Sequence, residues 1–289
     1  MQKRKLGNSG LEVSPLVFGG NVFGWTVDED QSFKLLDAFV DSGFNFIDTA
    51  DVYCKWVPGK QGGESETILG KWLKRKGNRI KVVIATKVGM EMGPDQKGLS
   101  KAYILREVED SLRRLQTDYI DLYQAHMDDP NTPLEETLET FALLVKQGKA
   151  RVIGASNYGA ERLLQALEVS KKRGYPSYQS LQPWYNLYDR AEYETKLEPL
   201  CREKGLGVIS YFSLAAGFLT GKYRSDKDLS KSVRGPRSIG KYLNERGFRI
   251  LDALERVAKQ RGATPTTVSL AWLMARPGIT APIASATSV

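Results

Sequence analysis

The stretch that decides the fold is FNFIDTADVY, residues 44–53. Its first four residues form a short apolar run of the kind found in buried strands, and the run ends abruptly at Asp48. A second acid, Asp51, and a phenol, Tyr53, follow in what the pattern predicts to be a loop. The stretch therefore predicts a buried strand whose end is marked by a carboxylate.

Similar apolar runs recur along the chain and alternate with helix-length amphipathic segments. The predicted strands are Pro15–Gly19, Phe44–Asp48, Lys81–Lys87, Tyr119–His126, Arg151–Ser156, Tyr178–Gln182, Gly207–Tyr211 and Ile279–Ala284. The predicted helices are Glu29–Asp41, Glu64–Lys76, Ser100–Leu115, Pro133–Lys146, Gly159–Lys172, Ala191–Glu203, Glu245–Arg261 and Thr264–Ala275. Alternation of this kind indicates parallel βαβ units and an α/β fold.

Such a sheet can stay open or close into a barrel. An open sheet that binds a dinucleotide usually has G-x-G-x-x-G after an early strand, whereas the first predicted strand here is followed by GGNVFG, residues 19–24. Eight strands favour a (β/α)8 TIM barrel, which at this length forms one domain, residues 1–289. We expect residues 1–14 to form a β-hairpin that plugs the bottom of the barrel, and residues 221–244 to form a mobile loop over the site.

Composition restricts the class of protein. Hydrophobic residues make up 41% and charged residues 26% of the chain, as in globular proteins, and no apolar stretch reaches the roughly 18 residues of a membrane span. Two cysteines provide neither a disulfide framework nor metal-ligand spacing, so we expect a cytoplasmic protein without a metal. The net charge of +8 is scattered and not interleaved with aromatic residues, so we expect no nucleic-acid partner.

Polar side chains mark the ends of the predicted strands, where barrel enzymes carry their chemistry. Strand two ends at Asp48, strand three at Lys87, and strand four at His126, the only histidine in the chain. Tyr53 follows strand two. A phenol has a pKa near about 10, and a neighbouring ammonium lowers it, while a carboxylate keeps the ammonium charged. These residues can therefore protonate the oxygen of a carbonyl that receives hydride on its carbon.

The constellation resembles that of the aldo-keto reductases. DTADVY, residues 48–53, is similar to the family's Asp-Thr-Ala-x-x-Tyr motif, and Lys87 and His126 end the next two strands, as in the family. GASNYG (154–159), LQPWYNL (181–187) and VISYFSLAAGFLTGKY (208–223) resemble the segments that bind the nicotinamide dinucleotide.

The resemblance implies a barrel that reduces aldehydes or ketones, small-molecule carbonyl substrates, with NADPH. Tyr53 would be the general acid, Lys87 would tune it, Asp48 would pair with Lys87, and His126 would position the carbonyl. The residues implied in cofactor binding are Gly20, Asn21, Asp48, Ser156, Asn157, Gln182, Tyr211, Phe212, Ser213, Leu214, Gly217 and Lys222. The family often has serine directly after the stacking tyrosine, where this chain has Phe212. The family also continues into a final C-terminal helix, which we expect to be missing from this chain.

Two other functions remain open. The first is a non-catalytic or slow nucleotide-sensing regulatory subunit on the same fold, since potassium-channel β subunits resemble reductases. The second is a lyase or aldolase that forms a Schiff base on Lys87.

Near the motif, we interpret Asp51 as a solvated loop acid and Cys54 as a bystander. Trp25, Trp56 and Trp184 either line the substrate pocket or pack without a further role.

Overall fold

The parallel sheet closes on itself. The computed structural model describes residues 1–289. Its strands are β1 (Arg4–Lys5), β2 (Glu12–Val13), β3 (Val17–Gly19), β4 (Phe46–Asp48), β5 (Val83–Val88), β6 (Ile120–Ala125), β7 (Ala150–Ser156), β8 (Ser180–Gln182), β9 (Gly207–Ser210) and β10 (Ile279–Ala284). Strands β3 to β10 pair in the order of the chain, and β10 pairs with β3, so the predicted eight-stranded (β/α)8 TIM barrel is confirmed.

Helices cover the outside of the barrel. They are α1 (Glu29–Asp41), α2 (Glu64–Lys76), α3 (Lys101–Leu115), α4 (Leu134–Lys146), α5 (Ala160–Arg173), α6 (Glu198–Lys204), α7 (Gly235–Ser238), α8 (Glu245–Arg261) and α9 (Pro265–Ala275). Apolar side chains on their inner faces, such as Leu69, Val108 and Leu163, pack against the outward-facing residues of the strands. None of the helices is both long and apolar enough to cross a membrane.

The N-terminal hairpin plugs the bottom of the barrel, as predicted. β1 and β2 pair antiparallel, and Leu6 and Leu11 of the turn between them join the apolar cluster inside the barrel. The turn presses on the strands so closely that a Cβ on Gly7 would lie 2.3 Å from the Gln179 carbonyl oxygen. Arg4 adds hydrogen bonds to the carbonyl oxygens of Ile279 and Thr280 at the start of β10.

Two segments differ from the expectation. Residues 191–203 begin as a π-helix, Tyr193–Leu197, before α6, because Pro199 has no backbone N–H to donate to the carbonyl of Thr195. Residues 221–244 are not a single irregular loop. They contain the short helices Asp226–Lys231, α7 and Gly240–Tyr242, the first of which is stabilised by a capping box between Ser225 and Asp228.

Candidate active site

Strand register brings the predicted acid, amine and imidazole to one mouth of the barrel. Asp48 ends β4 and pairs with Ala85, and Lys87 lies two residues further along β5 on the same face of the strand. Lys87 pairs with Gln124 of β6, and His126 follows directly after that strand. Tyr53 belongs to the loop after β4 and turns back toward Lys87. All four side chains therefore meet at the carboxyl ends of the strands.

The amine of Lys87 is the centre of the site. Its Nζ donates hydrogen bonds to Asp48 Oδ2 (2.8 Å), to the Thr49 carbonyl oxygen (2.8 Å) and to the Tyr53 hydroxyl (3.1 Å). The side chains of Lys87 and Asp48 are 0% and 1% exposed. Burial lowers the pKa of Lys87, and the Asp48 carboxylate opposes that shift. The three acceptors leave the amine no free position for another partner.

The Tyr53 phenol accepts from Lys87 and donates to Asp48 Oδ2 at 3.2 Å. Burial and the Asp48 carboxylate raise the pKa of Tyr53 well above its usual range. The net shift is opposite in direction to the lowering expected from Lys87, because burial and the Asp48 carboxylate, which accepts the phenolic proton, have the largest effects. The phenol is consequently protonated at neutral pH, the state that a proton donor requires.

His126 lies beside Tyr53, with 6.2 Å between the ring centroids and an edge-to-face arrangement. Its ring is buried, and Nδ1 has no hydrogen-bond partner in the protein. Burial and the nearby Lys87 charge lower the pKa of His126 well below its usual range. The imidazole is therefore neutral at pH 7 and carries a single N–H.

A chain of amide and hydroxyl groups continues from Asp48 across the mouth. Gln182 Nε2 donates to Asp48 Oδ1 (2.8 Å), and Ser156 Oγ donates to the Gln182 carbonyl oxygen (2.9 Å). Asn157 Nδ2 donates to Ser156 Oγ (3.1 Å), and the Tyr211 hydroxyl donates to Asn157 Oδ1 (2.6 Å). Asn157 has a left-handed backbone (φ 56°), which asparagine tolerates better than most residues. The structure thus links these predicted residues to one another.

The segment after β9 has an unusual backbone. Ala215, Ala216 and Gly217 have φ values of 49°, 57° and 100°, and left-handed geometry at two consecutive alanines is strained. Within this segment the Ala215 N–H donates to the Phe212 carbonyl oxygen and the Gly217 N–H to the Leu214 carbonyl oxygen. Nζ of the exposed Lys222 would lie 3.8 Å from a Cβ placed on Gly217. The Lys222 ammonium therefore lies next to the strained backbone of this segment, which follows Tyr211 in the chain.

The remaining predicted residues of the mouth differ in their accessibility. Asn21 and the half-buried Phe212 and Leu214 border the mouth, and Asn21 Oδ1 lies 2.7 Å from Ser285 Oγ. Gly20 is enclosed, because a Cβ there would lie 3.0 Å from the Asp48 carbonyl oxygen. Ser213 points inward and donates to the Ser210 carbonyl oxygen (3.0 Å), so its hydroxyl is already bonded within the protein.

Residues 15–289 match the family model described as the aldo/keto reductase family. The chain belongs to this family. An uncharacterized oxidoreductase, YrpG, from Bacillus subtilis (strain 168) is 38% identical over 98% of this chain and 86% of its own length. Aldo-keto reductase YhdN from the same organism is 33% identical over 96% of this chain and 82% of its own length. A probable voltage-gated potassium channel subunit beta from Oryza sativa subsp. japonica is 33% identical over 99% of this chain and 88% of its own length.

Three of the five tryptophans of this aldo-keto reductase homologue, Trp25, Trp56 and Trp184, lie near the mouth. Trp56 lies between Tyr53 (5.9 Å between centroids) and Trp25 (5.5 Å), and Trp184 stacks on Phe212 at 4.4 Å. Trp56 and Trp184 remain more than a third exposed. Part of each of these two rings is therefore open to solvent beside the mouth.

The segment 221–244 covers part of the entrance. The Arg234 guanidinium lies 5.2 Å from the centre of the Trp25 ring, and the Lys241 ammonium lies 4.1 Å from the Trp184 ring. A cavity of about 330 Å³ extends beneath the segment, between Trp184 and Phe212 on one side and Pro236 on the other. Arg234 was not identified from the sequence, because nothing in the local pattern distinguishes it from the other loop cations.

Cys54 and Asp51, on either side of Tyr53 in the loop after β4, are both buried. Burial raises the pKa of the Cys54 thiol to about 12, and Sγ contacts the Phe23 carbonyl oxygen at 3.0 Å, in keeping with a bystander. The interpretation of Asp51 as a solvated acid is wrong, because the residue is fully buried beneath helices α2 and α3.

Proposed function

We propose that this protein reduces an aldehyde or ketone to an alcohol with hydride from NADPH. The observation that carries the proposal is the buried Lys87 amine, which bonds at once to Asp48 and to the Tyr53 hydroxyl at the open mouth of the barrel. Its membership of the aldo-keto reductase family supports the same chemistry.

In this mechanism the residues of the chain control the proton, and NADPH supplies the hydride when bound. Tyr53 donates its phenolic proton to the carbonyl oxygen as negative charge develops there. The phenolate left behind lies 3.1 Å from the Lys87 ammonium, which stabilises it. Asp48 keeps that amine charged, and neutral His126 donates its N–H to orient the carbonyl oxygen.

The residues at the mouth fit a nicotinamide dinucleotide. Ser156, Asn157 and Gln182 offer the amide and hydroxyl groups that a carboxamide would need, and Tyr211 offers a ring for stacking on the nicotinamide. Lys222 and the backbone N–H groups at 212–214 and 216, which have no backbone acceptor within the segment, would hold the pyrophosphate. Gly20 and Asn21 would border the nicotinamide on the other side.

We propose NADPH in preference to NADH because exposed cations, Lys222, Arg237 and Lys241, surround the loop after β9. An additional phosphate would gain favourable electrostatic energy there. Titration with each nucleotide, followed by quenching of tryptophan fluorescence, measures the preference. Trp184 lies 5.9 Å from Tyr211 and is the expected reporter, so Trp184→Phe is the control for the signal. Equal affinity for the two nucleotides would contradict the assignment of NADPH.

The decisive experiment is Tyr53→Phe, which removes one hydroxyl. We expect reduction of small aldehydes to fall at least about 100-fold, the contribution typical of general acid catalysis, while nucleotide affinity is unchanged. Tyr175→Phe, on the loop after α5 and remote from the mouth, is the matched control. If Tyr53→Phe reduces aldehydes as fast as the parent, the mechanism is wrong.

A second candidate function is a nucleotide-sensing regulatory subunit. It is favoured by the similarity to proteins described as potassium channel β subunits from rice and from Arabidopsis thaliana. Steady-state turnover with a panel of aldehydes separates the two functions. Tight binding of NADPH without its oxidation would favour the sensor, whereas turnover that depends on Tyr53 would favour the reductase.

A Schiff-base lyase fits the site less well. Lys87 Nζ has three acceptors, including a carboxylate, and so lacks the free electron pair that attack on a carbonyl requires. Borohydride trapping of a carbonyl compound on Lys87 would support the lyase. We also propose a cytoplasmic location, because Cys54 and Cys201 are both free thiols, as is usual in reducing compartments.

A further inference from the structure

Asp51 is a buried acid that the reaction described above does not use. It lies in the loop between Asp48 and Tyr53, and none of its surface is exposed. Its Oδ1 accepts a hydrogen bond from the Val52 N–H at 2.6 Å, whereas Oδ2 has no partner. Its own N–H donates to the Lys87 carbonyl oxygen at 3.3 Å. The residue therefore ties the turn that carries Tyr53 to the backbone of Lys87.

The charges around Asp51 do not balance if it is ionised. Glu66 of α2 and Glu107 of α3 are also buried. The Arg114 guanidinium binds both, with Nε 2.7 Å from Glu66 Oε2 and Nη2 2.5 Å from Glu107 Oε1. The Thr86 hydroxyl donates to the other Glu66 oxygen. Arg114 is thus already shared by two carboxylates, and Asp51 has no ion pair of its own, since the Lys87 ammonium is bonded to Asp48 and acts on Asp51 only through its charge. A third negative charge in this enclosed space would be strongly unfavourable.

We propose that Asp51 retains its proton in the folded protein and acts as a neutral positioning residue for Tyr53. This inference rests on the proposed reductase function for its catalytic consequence. Burial, together with the charges of Glu66 and Glu107, raises the pKa of Asp51 well above its usual range, in agreement with the geometry. The groups that act on Asp51 or feel its charge are Glu66 of α2, Tyr103, Glu107 and Arg114 of α3, Lys87 of β5, Tyr123 of β6 and Tyr53.

The neutral state matters for catalysis because of where Asp51 lies. A negative charge on Asp51 would raise the pKa of Tyr53 further, adding to the effect of Asp48, so the phenol would release its proton less readily. A neutral carboxyl avoids this, keeps its bond to Val52 and has an O–H to donate. The hydroxyls of Tyr103 and Tyr123 are buried and unpartnered, and a charge on Asp51 would act on both of these phenols as well.

Asp51→Asn and Asp51→Ala test the proposal. A carboxamide offers one acceptor and one donor side, as a protonated carboxyl does, so asparagine should replace Asp51 well, whereas alanine removes both groups. We expect kcat of Asp51→Asn to stay within about threefold of the parent, and that of Asp51→Ala to fall more than about tenfold with nucleotide affinity unchanged. If the asparagine variant loses as much activity as the alanine variant, the residue acts through its charge and the proposal is wrong.

Infrared difference spectroscopy tests the proton itself, without any need for turnover. The spectrum of the parent minus Asp51→Asn should contain the C=O stretch of a protonated carboxyl that shifts in D2O. Asp121→Asn is the matched control, because Asp121 is equally buried but forms ion pairs with Arg79 and Arg151 and should give no such band. Absence of the band for Asp51 overturns the proposal. If the protein proves not to reduce carbonyls, the band still reports the protonation state.

Discussion

Replacing Lys87 by methionine tests whether Asp48 depends on that amine. The substitution removes three hydrogen bonds and leaves Asp48, of which 1% is exposed, with only Gln182 and Tyr53 as donors. Removing one partner of a buried ion pair usually costs about 3–5 kcal/mol, because an uncompensated charge remains in a low-dielectric environment. We therefore expect Lys87→Met to lower the unfolding free energy by about that amount, or Tm by roughly 6–20 °C.

The double variant Lys87→Met/Asp48→Asn provides the sharper test. It removes both charges, so no carboxylate is left without a cation. The double variant should therefore be more stable than Lys87→Met alone by about 1–3 kcal/mol. The surface pair Lys71–Glu29 is the control, since both side chains are almost half exposed and Lys71→Met should cost less than about 1 kcal/mol.

Urea unfolding followed by tryptophan fluorescence measures all of these variants under one condition. A cost of less than about 1 kcal/mol for Lys87→Met, or a double variant less stable than the single one, would refute the dependence of Asp48 on this amine. Either result would mean that Asp48 is protonated or reached by water, in which case it could not hold Lys87 in its charged form.

Three further predictions follow from buried groups. The pKa of Asp51 is raised in the folded state. The free energy of unfolding of the parent, relative to that of Asp51→Asn, should therefore be greatest below a pH of about 4 and should fall by about 1.4 kcal/mol per pH unit as the pH rises toward the folded pKa. A difference between the two variants that does not change with pH in urea titrations would contradict this. A Cβ on Gly70 would lie 2.1 Å from the Arg114 carbonyl oxygen, so Gly70→Ala should destabilise the α2–α3 contact by about 2–3 kcal/mol in the same assay, whereas Gly240→Ala, with open space around it, should change stability by less than about 1 kcal/mol. Burial raises the pKa of both cysteine thiols to about 12, so mass spectrometry should detect no alkylation by iodoacetamide in the native protein at neutral pH and two alkylated sites in urea; rapid labelling of the native protein would show that the loop after β4 opens.

Much of the fold could be predicted because its signals are local. The apolar run that precedes Asp48 and the amphipathic spacing of Glu64–Lys76 are properties of short segments, and the structure places both elements within two residues of the prediction. The order of strand and helix then restricts the topology to very few possibilities. The π-helix at Tyr193–Leu197 was missed because a single proline, Pro199, determines it, within an otherwise ordinary amphipathic pattern.

The site divides in the same way. Asp48, Lys87 and His126 could be found because parallel strands end together, so positions along the chain translate directly into neighbours in space. The burial of Asp51 could not be predicted from the sequence, since it depends on how helices α2 and α3 pack over the loop. Nor could the direction of the Tyr53 pKa shift be predicted, because it follows mainly from burial of the phenol, together with the Asp48 carboxylate, and both depend on packing that only the structure gives.

Closure of the sheet makes assembly of the mouth depend on the last strand. Val17 of β3 is paired with Ile283 of β10, and Ser285, just after β10, contacts Asn21 at the mouth. During synthesis, at about 5–20 residues per second, the edges of β3 and β9 stay unpaired until almost the whole chain has emerged from the ribosome. The nascent polypeptide is thus exposed to aggregation for tens of seconds, and holding chaperones should raise its yield.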